Sequence, residues 1–350
     1  MQFLRSVFLG IIDFGIIELF VIFFALANIF TFFLYLIDKR KAIKNKWRIS
    51  EKVLIFFTLA LGGIGAILGM CLAKHKTKSK KFRFVAVVGL IIALIPIIHI
   101  THSFTLDRMI RYVEIEFRSE NWNPELDGYR IAFMTDMHTI SDEDMRRVAT
   151  ELNRRNIDLL LLGGDFAAIN VAGNHYQGTV REIGQVNTTD GIFGVEGNHD
   201  WFNTLSRAKE QYGITMLNND GARIRDGFYL AGVRDLWTGT PDVSRAIANA
   251  RADDFILLLS HNPDVSMRQP TVGVDLILSG HTHDGQITFF GFPMYLLRGS
   301  ITDYGTRFAY GFAYSADEVP VFVSRGVGVY YHIPRIFSRP EVVIFTMFGD

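Results

Sequence analysis

Three uncharged stretches near the N-terminus constrain this 350-residue chain more than any other feature. Leu19 to Ile37 carries no Asp, Glu, Lys or Arg across 19 positions, Val53 to Ala73 none across 21, and Phe84 to Leu106 none across 23. As a helix, about 18 apolar residues can cross a hydrocarbon layer of ~30 Å. Three such runs close together predict a helical membrane domain over residues 1–106 rather than the buried core of a soluble fold. A cleaved leader is not expected, because Asp13 and Glu18 interrupt the first run and no small-residue cleavage site follows.

Charge divides the chain at the same place. Residues 1–105 hold 14 Lys and Arg against 4 Asp and Glu, and the remainder holds 22 against 32, so a net charge of zero conceals a basic head and an acidic body. The basic residues cluster between the apolar runs. Lys39, Arg40, Lys41, Lys44, Lys46, Arg48 and Lys52 form one cluster; Lys74, Lys76, Lys78, Lys80, Lys81 and Arg83 form the other. Beside apolar spans, the expected partner is anionic lipid headgroups, not nucleic acid. The lone Cys71 rules out an intrachain disulfide.

Two topologies compete for this head. Lys and Arg in short loops favour the cytoplasmic side, yet three full spans would put the two basic loops on opposite sides. Gly62, Gly63, Gly65 and Gly69 lie in the middle run. One reading makes that run a re-entrant hairpin turning near Gly62-Gly63, with both loops in the cytoplasm and the body outside it. The other makes it a full span that uses Gly65-x-x-x-Gly69 for close packing. The hairpin is preferred, which places the protein in the cell membrane as a multi-pass chain with an extracytoplasmic catalytic domain. The head also resembles a small bacterial membrane family of unassigned function. Asp38-Lys39, Arg48-Ile49-Ser50-Glu51, Gly62-Gly63-Ile64-Gly65-Ala66 and His75-Lys76-Thr77-Lys78 carry the resemblance, which implies no chemistry. His75 reads as a headgroup contact rather than a metal ligand.

From about residue 113 the pattern changes to short apolar runs separated by turns. Strands are predicted at Tyr129–Met134, Asp158–Leu162, Gly191–Val195, Gly213–Leu217, Gly227–Ala231, Phe255–Leu259, Val274–Leu278, Val319–Val323 and Glu341–Met347. A helix is predicted at Ser141–Asn153, capped through Ser141 and Asp144, with Met145, Val148, Ala149 and Leu152 on one face. Many strands and few helices imply two packed sheets with helices outside, an α/β (α+β) architecture.

The chemistry-bearing residues follow those strands. Asp136-Met137-His138, Gly163-Gly164-Asp165, Gly197-Asn198-His199-Asp200, Ser260-His261-Asn262 and Gly280-His281-Thr282-His283 each come directly after an apolar run. Ligand sites in α/β folds lie beyond the carboxyl ends of strands. Taken singly, each motif has a bland reading: a strand end, an ordinary turn, a helix N-cap at Asp200, a satisfied core histidine at His261. Together they hold five of the ten histidines, which core packing does not explain.

In this order the motifs are the signature of the calcineurin-like metallophosphoesterases, which residues 128–347 resemble. The similarity is greatest to the membrane-associated bacterial branch that includes UDP-2,3-diacylglucosamine hydrolase-like enzymes, through Leu259–Asp264, Gly280–Gln286 and Ser324–Gly328. Asp284 stands where that branch often has Gly, and Arg234 where it often has Asp. The resemblance implies a two-sheet β-sandwich flanked by helices over residues 107–350. It implies two divalent metal ions, one held by Asp136, His138 and His283, the other by Asn198, His261 and His281, with Asp165 bridging. Carboxylate, amide and imidazole ligands without thiolate suit Mn first, with Fe or Zn as alternatives. A metal-bridging hydroxide would attack a phosphoester or pyrophosphate. His199 is left to protonate the leaving oxygen or to hold a phosphoryl oxygen, with Asp200 orienting it or capping a helix over 201–211, and Arg325 is a candidate substrate contact. The expected substrate is phosphate-containing and lipid-linked or nucleotide-linked. The alternatives are a non-catalytic metal-binding scaffold and a membrane module with a lipid-binding role, in whose spans nothing apart from His99 and His102 suggests a charged pathway.

Overall fold

A computed structural model describes residues 16–104, 109–166, 174–200, 211–289, 292–293, 301–329 and 335–350. The chain divides into two compact units, Met1–Thr101 and His102–Asp350.

The first unit holds α1 (Ile16–Ile43), α2 (Glu51–Leu59), α3 (Gly63–Leu72) and α4 (Lys80–Phe104). Its middle apolar run is therefore two short helices, not one span. Leu61 adopts a left-handed backbone, φ 67°, and breaks the run between them. The glycines that follow also pack closely, as the competing reading expected. A Cβ at Gly65 would lie 2.0 Å from the Asn28 carbonyl oxygen on α1, and one at Gly63 would lie 2.1 Å from the Gly89 carbonyl on α4. Two helical segments, Phe20–Ile43 and Lys80–Ile98, are long and apolar enough to cross a membrane. Phe23, Leu26, Phe30 and Phe33 on α1 and Phe84, Val87 and Ile91 on α4 point large apolar side chains outward. Contiguous apolar surface of this kind requires a non-aqueous environment. The side chains of His99 and His102 lie outside the described residues.

The second unit is a sandwich of two six-stranded sheets. The strands are β1 (Arg111–Ser119), β2 (Tyr129–Met134), β3 (Leu159–Leu162), β4 (Ile192–Gly194), β5 (Ile214–Met216), β6 (Asp220–Arg225), β7 (Phe228–Gly232), β8 (Phe255–Leu259), β9 (Leu276–Ser279), β10 (Thr288–Phe289), β11 (Phe292–Pro293), β12 (Gly311–Tyr314), β13 (Pro320–Val323) and β14 (Glu341–Gly349). One sheet runs β1-β14-β2-β3-β4-β5 and the other β12-β13-β9-β8-β7-β6, while β10 and β11 form a small hairpin. Strand alternation builds the layers. Ile131, Phe133, Leu159 and Leu161 meet Phe255, Leu257, Leu259, Leu276 and Leu278 in the core between the sheets. The alternate residues Ala132, Met134, Leu160 and Leu162 face α5 (Asp142–Asn153) and α6 (Asn174–Ile183). Ile256, Leu258 and Ile277 face α7 (Val243–Ala246) and α8 (Val265–Arg268) on the other side. Burial on both faces makes these strands read as unbroken apolar runs.

The α5 prediction holds in detail. Ser141 Oγ accepts from the Asp144 N–H at 3.0 Å, and Met145, Val148, Ala149 and Leu152 are buried. Beside the two-residue β10 and β11, three strands of the large sheets went unseen in the sequence: β1, β6 and β12. Each closes an edge of a sheet and is only partly buried, so polar residues interrupt its apolar pattern. The alternation of Tyr112, Val113, Ile115 and Phe117 with Glu114, Glu116 and Arg118 was the available signal for β1.

Candidate metal centre

Strands β2, β3 and β4 run parallel in one sheet, and β7, β8, β9 and β13 run parallel in the other. Their carboxyl ends present Asp136 and His138, Asp165, Asn198, His261, and His281 and His283 to one place. Glycine makes this approach feasible: a Cβ at Gly197 would lie 2.2 Å from Asp165 Oδ1, and one at Gly280 would lie 2.4 Å from Asp136 Oδ2. Asp136, His138, Asp165, His281 and His283 all have left-handed backbones, with φ between 39° and 72°. Non-glycine residues in this region carry strain, which concentrates at functional sites.

Two groups converge closely enough to hold an ion. The ligand atoms of Asp136, His138 and His283 lie within 4.8 Å of one another, and so do those of Asp136, Asp165 and His261. His283 Nε2 is 3.2 Å from Asp136 Oδ1, His138 Nε2 is 3.5 Å from Asp165 Oδ2, and His261 Nε2 is 3.3 Å from the same Asp165 oxygen. Asn198 Oδ1 lies 3.1 Å from His261 Nε2 and 2.9 Å from His281 Nδ1. All seven positions expected to bind metal are thus gathered in one cluster.

The donor set fits divalent cations. His261 Nδ1 is 2.7 Å from the Gly163 carbonyl, and His281 Nε2 is 3.2 Å from the Ile301 carbonyl. A carbonyl only accepts, so those nitrogens carry protons, and the opposite nitrogens, His261 Nε2 and His281 Nδ1, face the cluster and become available for ligation when a cation displaces any proton held there. Electrostatics point the same way. Burial pushes Asp136 and Asp165 up, but the surrounding imidazoles outweigh it and hold both carboxyls below their ordinary range. Burial pushes His138 and His281 down to about 4, leaving them neutral, as ligation requires. Burial also opposes charge on His261, but Asp165 and Asp136 raise it well above its ordinary value. The carboxylate pair therefore draws positive charge into the cluster.

The remaining expected residues sit around this cluster. The His199 N–H donates to Asp165 Oδ1 at 2.8 Å, and its ring lies edge-on to His138 at 5.4 Å. Asp200 accepts from the N–H groups of Asp165, Gly197 and Phe166, each at 2.8 Å. It thereby ties the β3 turn to the β4 turn, a different task from orienting His199. Residues 201–210, which include most of the helix it was expected to cap, lie outside the described residues. Burial and the neighbouring Asp165 charge push Asp200 up to about 8. Arg325 donates through Nε to Asp284 Oδ2 at 2.9 Å and lies 3.6 Å from the Tyr310 ring centroid. Asp284 has φ 52°, a backbone suited to the glycine common at that position.

Sequence reasoning missed two residues here. Arg335, fully buried, donates to the Arg325 and Gly328 carbonyls and places Nη2 3.3 Å from His283 Nδ1. No sequence pattern marks it. Trp237 is 57 % exposed, yet its ring stands perpendicular to His281 with centroids 4.5 Å apart. It follows the end of β7, so the strand-end rule that located the other motifs would have found it.

A sandwich with a buried Asp/His/Asn cluster at its parallel strand ends offers a candidate site for divalent metal ions. Residues 129–285 match the family of calcineurin-like phosphoesterases, and residues 28–82 match a protein family of unknown function, DUF1294. The chain is 29% identical over 260 residues to an uncharacterized metallophosphoesterase of Bacillus subtilis, YkuE, covering 68% of this chain and 86% of that one. It is 27% identical to a zebrafish (Danio rerio) transmembrane protein with a metallophosphoesterase domain, covering 83% and 69%. An uncharacterized metallophosphoesterase of Campylobacter jejuni is 25% identical, with 90% and 83% covered. Residues 129–285 thus carry a calcineurin-like phosphoesterase domain, and the chain around them is similar to metallophosphoesterases, which marks it as a phosphoester hydrolase.

Proposed function

We propose that the body hydrolyses an amphiphilic phosphoester or pyrophosphate at a dinuclear centre. Asp136, His138 and His283 would hold one ion, Asn198, His261 and His281 the other, and Asp165 would serve both. The observation that carries this reading is the convergence of seven donors from five strand ends, with His261 and His281 fixed in ligating tautomers by carbonyl acceptors. Two bound divalent ions, Mn first and Fe or Zn as alternatives, would supply Lewis acidity and a nucleophilic water at neutral pH. Asp165 positions His199 through its backbone N–H, and the His199 imidazole holds or delivers a proton at the leaving oxygen. Asp200 keeps the two turns in register. Arg325, already engaged by Asp284 and Tyr310, supports the wall of the site more readily than it reaches for substrate.

Trp237 supports the amphiphilic part of the reading. An exposed indole beside a metal ligand offers an apolar face to whatever is esterified to the phosphate. The two apolar helices and the transmembrane relative support a multi-pass membrane protein.

The test is a screen of the metal-loaded protein in detergent against phosphomonoesters, phosphodiesters, nucleotide-sugar pyrophosphates and lipid phosphates. Metal-dependent turnover, highest on an amphiphilic substrate, is expected. Binding of two ions without turnover on any of these would favour the scaffold reading.

A further inference from the structure

We infer that the segment matching DUF1294 is a topological clamp, which keeps α2 and α3 from crossing the bilayer and so sends the catalytic body to the face opposite the basic loops. The inference rests on the membrane anchoring proposed above.

Three observations within the first unit carry it. First, the two basic loops are tied together. Asp38, fully buried at the end of α1, accepts from Arg48 Nη2 at 2.8 Å and from the Ile49 N–H at 3.0 Å, and lies 2.7 Å from His75 Nε2. Arg48 precedes α2, and His75 follows α3. His75 is thus a buried structural partner rather than a headgroup contact. Glu51, the first residue of α2, pairs with Lys76 at 2.5 Å and Lys81 at 3.3 Å, both beyond α3. Run on as a single span, α2 and α3 would separate Glu51 from Lys76 by more than about 30 Å at ~1.5 Å per residue. These pairs require the chain to double back.

Second, the lengths suit a hairpin. Nine residues of α2 and ten of α3 reach about 13 and 15 Å, near half of a ~30 Å hydrocarbon core. Third, the backbone freed at the hairpin tip is satisfied from α1. Asn28 donates to the Leu61 carbonyl at 2.9 Å and accepts from the Gly65 N–H at 3.0 Å. Thr31 Oγ1 lies 3.4 Å from the Phe57 carbonyl, and the Tyr35 hydroxyl lies 3.0 Å from Thr58 Oγ1. Non-helical backbone persists at membrane depth only when protein buries and pairs it. A single Asn closing both sides of the break meets that demand.

With both loops at one end, their 13 Lys and Arg act together to fix that end in the cytoplasm. The α4 helix then crosses outward, and the body follows it.

The experiment labels single cysteines in intact cells with a membrane-impermeant maleimide, using the full-length chain carrying Cys71→Ser. Lys46→Cys, Lys78→Cys and Glu120→Cys report the first loop, the second loop and the body. Both loop cysteines should label from outside at less than about a tenth of their level after lysis, and Glu120→Cys equally before and after. Loop cysteines on opposite faces, or a blocked Glu120→Cys, overturn the inference even if the protein remains an active membrane enzyme. A chain that leaves the membrane on carbonate washing overturns the anchoring and the inference together, without touching the phosphoesterase reading. The clamp itself is tested by Asp38→Asn and by the milder Glu51→Gln. Each should let a share of Lys78→Cys chains label from outside, and unchanged one-sided labelling in both would show that the clamp does not set topology.

Discussion

The Nε2 atoms of His138 and His283 lie 2.9 Å apart, with the rings stacked at 19°. At that distance one ring donates its Nε2–H to the lone pair of the other in the metal-free protein. A divalent ion bound beside them would replace that proton and take both lone pairs. Asp136 and Asp165 stand within reach of the same space, so the cluster is polar and suited to hold a cation rather than to form apolar core.

Metal removal follows directly. Elemental analysis of the metal-replete protein should find two divalent ions per chain, and chelation should abolish activity. Asp165→Ala should lower metal occupancy at both sites and cut kcat/KM by at least about 100-fold. One ion or none per replete wild-type chain would contradict the dinuclear centre.

His199→Ala should retain both metals yet lose turnover. General acid catalysis contributes about 10²- to 10⁴-fold, and the loss should grow as the leaving group becomes more basic, because a good leaving group needs less protonation. Steady-state kinetics across a series of aryl and alkyl esters measures this. Equal losses across the series would assign His199 to holding a phosphoryl oxygen instead.

Trp237→Ala should leave metal content unchanged and lower kcat/KM on esters with a large apolar group by about 10-fold or more, the worth of a buried aromatic contact. Small alkyl phosphates should be affected little. A uniform loss would mean that the indole supports His281 and does not read the substrate.

Asp200→Ala removes the acceptor of three backbone N–H groups, each left unsatisfied at a cost of about 1–3 kcal/mol. Denaturation of the detergent-solubilised protein should show a loss of several kcal/mol in order of magnitude, together with weaker metal retention. Normal stability with lost turnover would instead favour a direct catalytic role.

One acid-dependent contribution to stability is assigned. Burial pushes the Asp254 carboxyl up, but Arg223 and the Arg251 N–H outweigh it and hold it below its ordinary value. A depressed carboxyl stabilises the fold above its unfolded pKa of about 3.9, and that contribution is lost as pH falls through the lower folded value. The melting temperature should change little for this reason between pH 7 and 5 and decline below about pH 4. Arg223→Met should flatten that acid limb, and an unchanged limb would remove the pair from the account.

Much of the architecture was legible in the residues because burial on both faces leaves an unmistakable trace. Leu159–Leu162 and Phe255–Leu259 have no alternation to misread, and Gly-flanked Asp and His after each run mark where the strands end. The edge strands left weaker traces, since a half-solvated strand such as Asp220–Arg225 carries too few apolar residues to stand out. Asp200 could be marked as important but not as a tie between two turns, because its partners are backbone N–H groups with no sequence signature. Arg335 was invisible for a related reason: it acts through carbonyls and one imbalanced imidazole contact, and it lies 52 residues from the histidine it faces.

The sequence alone determined that this protein has an apolar, basic head and a body carrying candidate metal ligands, since both follow from residue type and order. It also narrowed the middle apolar run to two alternatives, because its glycines serve a hairpin and a close-packed span equally well. Tertiary structure decided that the run breaks at Leu61, that Asp38 gathers Arg48 and His75, and that Glu51 meets Lys76. It also fixed which nitrogen of His261 and of His281 faces the cluster. These features depend on distances between groups far apart in the chain, and a carbonyl or carboxylate brought near by folding leaves no mark on the local sequence of the residue it fixes.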